Sequence, residues 1–443
     1  MFCTLQALWI FQVHIIRPKN SENDMTAIVG ILNKQAAVMA ADSAVTITHG
    51  DTRRIYNNSR KIFKLSDKQP VGLMIYENME FMGVPLDVVI GHYCEKNQDF
   101  EAKDLKGYAD HFMEFLGNEP LFQSEDQQDS YLLGEIVDYY YRIQSDANDR
   151  IQEVMKAHEG HEYTDDEVAE LYRAMIPQVM ADFMGNSEKV LFPTYTFSRF
   201  RKYAKTRIDE LMEHCEQDGL PADMRSEWEQ GIYNYLIKDG FFNWSGLVFV
   251  GYGTDNLFPA KASIIVSGIF DGNLRFFYKE DDLDRIGFNN EAVISPYAQT
   301  DVMLTVMKGI APAVLEKVSE SASLAIDLTR EKIAESMKSS GIDEDTIAKV
   351  LDIDTGEILD KHKEAIDDFI GKEYVVSLLD TVESFGVEDM ANMAESLISI
   401  TSLQRHFTSA EESVGGPVEV AVITRDRGFV WLKHRDWAAS NFR

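Results

Sequence analysis

The chain has 443 residues, 45% of them hydrophobic and 11% aromatic, which is enough apolar material for a large folded core and excludes a disordered chain. Lys and Arg number 43 against 74 Asp and Glu, for a net charge of −31. A surface so acidic repels phosphate backbones and anionic lipid, which argues against nucleic-acid or membrane partners and suits a cytoplasmic protein.

In chain order, Phe2 to Ile16 is an apolar run with no Lys or Arg before it and no small-residue cleavage site after it. It is too short to span a bilayer and lacks the layout of a secretory signal. Two readings remain for residues 1–25, a propeptide removed by autoprocessing or sequence upstream of a true start at Met25, and the second is preferred. Removal of Met25 before a small residue leaves Thr26 as the amino terminus. A terminal threonine carries a nucleophilic hydroxyl and, in its own α-amine, a general base.

From Thr26 the pattern reads as short strands. Ala27–Leu32 and Ala36–Ala41 are joined by Asn33-Lys34-Gln35, and Lys61–Leu65 and Val71–Tyr76 flank the polar turn Ser66–Gln69. From about 86 to 240 helical spacing takes over, as in Val168, Leu171, Tyr172, Met175 and Ile176. Strands return at Gly246–Gly251, Ala262–Phe270 and Leu274–Tyr278, the last two around Asp271-Gly272-Asn273. Ser295-Pro296-Tyr297-Ala298-Gln299 reads as a lead into the next helix. Thr300 to about 380 is helical with faces of alternating charge, helix continues through Val387–Phe407, and Val418–Thr424 and Gly428–Lys433 close the chain around Arg425-Asp426-Arg427. The expected class is α+β, with two antiparallel sheets packed face to face and covered by helices.

Other features read as structural. Cys3, Cys94 and Cys215 are too few and scattered for a disulfide framework or a zinc site. Gly251-Tyr252-Gly253-Thr254-Asp255-Asn256 lacks the third glycine and the Lys-Ser/Thr of a phosphate loop, so it reads as a turn. His158-Glu159-Gly160-His161 reads as an exposed loop, not a metal site. Phe112, Phe115 and Tyr139-Tyr140-Tyr141 read as helix core or assembly contacts.

The run Thr26-Ala27-Ile28-Val29-Gly30-Ile31, then Val38-Met39-Ala40-Ala41-Asp42-Ser43, resembles the opening of proteasome β-subunits and their bacterial relatives, the amino-terminal nucleophile hydrolases. Lys61-Ile62-Phe63-Lys64-Leu65 resembles the next strand of that family, Leu247–Ile265 its central strands, and Gly415-Gly416-Pro417-Val418 the glycine pair before its last hairpin. The resemblance covers about 26–85, 245–305 and 410–434. It implies a four-layer αββα sandwich forming a single domain over 26–443, with a helical insertion at about 86–240 and extended helices at about 300–407.

It also implies roles. Thr26 is the nucleophile, Asp42 orients the Thr26 end, Lys61 lowers the pKa of the attacking group by its charge, and Ser295 is the auxiliary serine that shuttles the proton. Tyr76 takes the place of the oxyanion-hole glycine and offers its backbone N–H. Departures from the family are Tyr76-Glu77-Asn78 where a glycine is usual, Pro296 after the serine, and Glu411 and Val414 (with Ser413 one position off) where Asp and Ser usually precede the glycine pair. The implied activity is a threonine peptidase acting on peptides or small amides, with no metal or organic cofactor. A homo-oligomer is the implied assembly, with an unfoldase as a further partner. The alternatives are an inactive self-assembling scaffold or binding module, and hydrolysis of a non-peptide amide.

Overall fold

The computed structural model describes residues 26–49, 52–56, 59–158, 161, 163–185, 189–218, 220–279, 282–408 and 415–434. The chain begins with strands β1 (Ala27–Asn33), β2 (Ala37–Ala41), β3 (Val45–His49), β4 (Thr52–Tyr56), β5 (Ile62–Lys64), β6 (Val71–Glu77), β7 (Glu80–Phe81) and β8 (Val84–Pro85). Helices α1 (Leu86–Lys96), α2 (Leu105–Asn118), α3 (Glu125–Ala157), α4 (Asp165–Gly185), α5 (Phe197–Tyr203), α6 (Lys205–Gln217) and α7 (Arg225–Leu236) follow. Strands resume as β9 (Ser245–Gly251), β10 (Ala260–Phe270), β11 (Asn273–Tyr278), β12 (Asp284–Arg285) and β13 (Ala292–Ala298). Then come α8 (Asp301–Lys308), α9 (Pro312–Ser339), α10 (Glu344–Leu351), α11 (Gly356–Ile370), a π-helical turn over Gly371–Val376, α12 (Ser377–Ser384) and α13 (Val387–Thr408). Strands β14 (Glu419–Thr424) and β15 (Gly428–Lys433) end the described chain. The class is mixed α+β with antiparallel sheets, and no helix among the described residues is long and apolar enough to cross a membrane.

The chain divides into two compact units. One comprises Thr26–Ser43, Ile286–Val422 and the segment from Val430. Its sheet has the order β13-β1-β2-β14-β15, and β1 pairs antiparallel with both neighbours. Every residue of β1 and β2 is buried. Strand alternation sends Ala27, Val29 and Ile31, with Val38 and Ala40 of β2, to one face, where Met390, Ala394, Leu397 and Ile398 of α13 cover them. Asn33 closes the β1–β2 turn by accepting from the N–H groups of Gln35 and Ala36, and its amide donates to the carbonyls of Val382 and Phe385. One side chain thus sets the turn and holds the end of α12.

The other unit comprises Ala44–Arg285 and Ile423–Phe429. Its main sheet has the order β11-β10-β9-β6-β5, with β12 paired to β10. Leu73, Ile75, Phe249, Ile264 and Val266 pack against Tyr93 of α1 and Phe112 and Leu116 of α2. A second core lies among the helices, built on Tyr139, Tyr140, Trp228 and Tyr235, with Phe270 of β10 joining it. Arg275 of β11, fully buried, reaches into this layer: it donates to the Glu135 carboxylate at 2.6 Å, the Tyr131 hydroxyl at 2.9 Å and the Tyr235 carbonyl at 3.1 Å.

Several strands differ from expectation. The stretch from Ser295, expected as a lead into a helix, belongs to strand β13 over Ala292–Ala298. Pro296 argues against a central strand, but β13 is an edge, where a missing N–H leaves no ladder bond unmade. The hairpin β3–β4, paired from Val45↔Tyr56 to His49↔Thr52, was not anticipated.

Candidate active site

Thr26 stands immediately before β1 and is only 4% exposed. Because Ala27 faces Ala298 on β13 and Ile28 faces Ala41 on β2, one further step sets Thr26 opposite Gln299 on one side and Ser43 on the other. The Gln299 N–H donates to the Thr26 carbonyl at 3.2 Å. Ala27 belongs to the helix-covered face, so alternation turns the Thr26 side chain to the opposite face.

Asp42, also buried, follows β2 and grips the residue after Thr26 twice. Its own N–H donates to the Ala27 carbonyl at 3.1 Å, and its Oδ1 accepts the Ala27 N–H at 2.9 Å. Its Oδ2 lies 3.4 Å from the Gly415 N–H. Next to it, the Ser43 hydroxyl donates to the Pro417 carbonyl at 2.9 Å. The start of β1, the end of β2 and the Gly415-Gly416-Pro417 segment are thereby locked together by a buried carboxylate and a buried hydroxyl, bonds of a kind that strengthen away from water.

Lys61 belongs to the other unit, directly before β5, where its carbonyl accepts the Ile75 N–H at 2.9 Å. Its side chain has no solvent exposure. Lysine is almost never so buried unless its ammonium is paired, so this position is atypical of an edge-strand cation.

Two assigned residues do not fit their assigned roles. Ser295 pairs with Gly30, four residues along β1 from Thr26. At about 3.3 Å per residue, that separates the two by roughly 13 Å along the strand, too far for a serine hydroxyl to share a proton with Thr26. The residue in that neighbourhood is Gln299, which follows Ala298 at a left-handed φ of 61°. Only the β1–β13 register reveals it. Tyr76 does not supply the oxyanion donor. Ile75 sends its N–H to Lys61 on the β5 side, so the next N–H, that of Tyr76, points to β9, where Tyr76 faces Gly246. That N–H is used by the ladder. The Tyr76 ring lies over Gly246 so closely that a Cβ there would sit 2.0 Å from it, and it meets Trp244 edge-on at 5.6 Å. Glu77, the last residue of β6 and opposite Ser245, has φ 65°, a conformation glycine adopts more readily.

The extension 1–25 with Met25 and Cys3, and Glu411, Ser413 and Val414, lie outside the described residues. In the Gly251–Asn256 turn the backbone donors are spent on the protein itself: Tyr252 on Pro70, Gly253 on the Asn256 side chain, Thr254 on Ala102 and Asp255 on Lys103. Arg425 caps the turn through the carbonyls of Thr254 and Asn256, so no amide is left to cradle a phosphate. His158 bonds the Val154 carbonyl and His161 pairs with Glu167, and no group of three or more metal-ligating side chains occurs among the described residues. Burial, with Asp218 nearby, pushes the Cys215 thiol up to about 12, and burial raises Cys94 too, so neither is a ready nucleophile.

No protein-family model matches the chain, and no curated protein matches it.

Proposed function

We propose that this chain is an amino-terminal threonine hydrolase that cleaves amide bonds, with peptides as the substrate class, on a four-layer αββα sandwich of the amino-terminal nucleophile type. Freed at its amino end, Thr26 attacks the carbonyl carbon through Oγ1, and its α-amine takes the hydroxyl proton. The same amine gives that proton to the departing amine as the C–N bond breaks, leaving an ester on Thr26. Water, deprotonated by the α-amine, then hydrolyses the ester and restores the hydroxyl. The scheme uses no metal or organic cofactor.

The observation that carries this reading is the Asp42 carboxylate bonded to the Ala27 N–H at 2.9 Å, beside a threonine at the head of a buried strand. A nucleophile must be held in place to be effective, and this contact fixes the backbone next to the attacking group. Lys61 is assigned the tuning cation on its order in the sequence and its complete burial. With its N–H in the ladder, Tyr76 is not assigned the oxyanion donor.

Intact-mass and amino-terminal analysis of protein purified from its native source, followed by labelling with a threonine-directed electrophile, test the reading. A mature chain beginning at Thr26 with one label, lost in Thr26→Ala and in Lys61→Ala, is the expected result. A mature chain that retains residues ahead of Thr26 removes the base and ends it.

The engaged Tyr76 N–H and the glutamate at a left-handed φ favour one alternative, an inactive scaffold on the same fold. Full biological function in Thr26→Ala is the outcome that selects it.

A further inference from the structure

Helix α9 is 28 residues long and opens with Pro312 at its first turn, yet it buries only Ala334. Helices draw most of their stability from packing an apolar face, so a helix of this length with one buried side chain lacks a full packing partner among the described residues. Its main contacts within the unit are with its sequence neighbours α8, α10 and α11. Val314, Val318, Ser321, Ala325 and Leu328 fall on one face at alternating four- and three-residue steps, and Val314 and Leu328 are each 52% exposed. That is the spacing of a coiled-coil seam.

Charge names the partner. Lys317, Leu324 and Glu331 line one flank of the seam at seven-residue intervals. A cation and an anion placed symmetrically about a leucine are complementary to the same helix run in the opposite direction. α9 also carries Lys317, Arg330, Lys332 and Lys338 against Glu316, Glu320, Asp327, Glu331 and Glu335, a net charge of −1 in a chain of −31. Of the whole acidic molecule, this helix is therefore a place where two copies approach with little repulsion.

We propose that α9 docks antiparallel against α9 of a second copy of this chain, with the two-fold axis at Leu324. In that register Val318 packs on the partner's Leu328, Ser321 on the partner's Ala325, and Leu324 on the partner's Leu324. Lys317 meets the partner's Glu331, twice by symmetry. Small residues at 321 and 325 let the helices approach closely at the centre.

Sedimentation of the full chain over a concentration series, with cysteine cross-linking, tests this arrangement. Leu324→Cys should form an interchain disulfide under mild oxidation while Val314→Cys, far from the axis, should not. Lys317→Glu should weaken association about tenfold, and the double swap Lys317→Glu with Glu331→Lys should restore it to within about threefold. Cross-linking at both positions means parallel pairing and overturns the proposal. Association indifferent to Lys317→Glu also overturns it. So does a monomer in which the thiol introduced by Leu324→Cys resists a maleimide, since another segment or protein then covers the seam.

Discussion

Helices α3 and α9 carry similar sequence signals and have opposite surroundings. α3, 33 residues long, turns Leu132, Ile136, Tyr139, Tyr140, Ile143, Ala147 and Ile151 to one side and buries them all. α9 repeats apolar residues at a comparable interval and leaves them in water. The difference lies in what else the chain provides: α3 meets Trp228 and Tyr235 of α7 and Ile176 and Met180 of α4, whereas the neighbours of α9 offer it little. Periodicity states that a helix has an apolar face; it does not state which molecule covers that face.

The contrast is sharpest in the cost of deletion. Trp228 has no exposure and touches Tyr139 and Tyr140 edge-on or tilted, so Trp228→Ala should cost about 3–5 kcal/mol in chemical denaturation. A loss under about 1 kcal/mol would break the view that this helical region has its own tightly packed core. Next comes the polar anchor. Glu135→Ala strands Arg275, buried with 0% exposure, and should destabilise by about 3–5 kcal/mol, whereas replacing both with Glu135→Leu and Arg275→Met should recover most of that loss.

A dependence on pH comes next. Burial, helped by the charge of Glu135 and opposed by the Asn243 hydrogen bond, raises the Asp138 carboxyl to about 7. An unfolded aspartate ionises near pH 4, so between about pH 4 and 7 the folded state holds the extra proton. Stability contributed by this group is complete below about pH 4 and is lost as pH rises to about 7, with a slope of up to about 1.4 kcal/mol per unit. Asp138→Asn should remove that slope from a plot of unfolding free energy against pH; an unchanged slope would assign it elsewhere. Least of all, Leu328→Ala on α9 should shift the unfolding free energy of dilute protein by no more than about 0.5 kcal/mol. A cost of about 2 kcal/mol or more at high dilution would show that α9 has an intramolecular partner after all.

Much of the sheet framework was readable from short apolar runs bounded by turn residues. The first strand expected at Ala27–Leu32 is Ala27–Asn33, and Gly428–Lys433 is reproduced to the residue, because both are bounded by turn chemistry at Asn33 and at Arg425-Asp426-Arg427. What escaped were facts about pairing. Pro296 hid an edge strand, and without β13 neither the roughly 13 Å displacement of Ser295 nor the proximity of Gln299 was accessible. The misassignment of Tyr76 has the same origin, since the direction of an N–H depends on which strands lie on either side. Asp42 was singled out only through the resemblance, and its use as an acceptor for the Ala27 N–H was not legible in the sequence.

Pro296 has a further consequence. Gln299 sends its N–H to Thr26, just ahead of β1, so alternation puts the nitrogen of residue 296 on the open margin of the sheet. A strand from another molecule seeking to extend the sheet there finds a gap in the row of donors. The far margin, β15, has no proline and shows Val430 and Leu432 outward, so fibril-like growth of this protein under denaturing stress should start from the carboxyl-terminal strand.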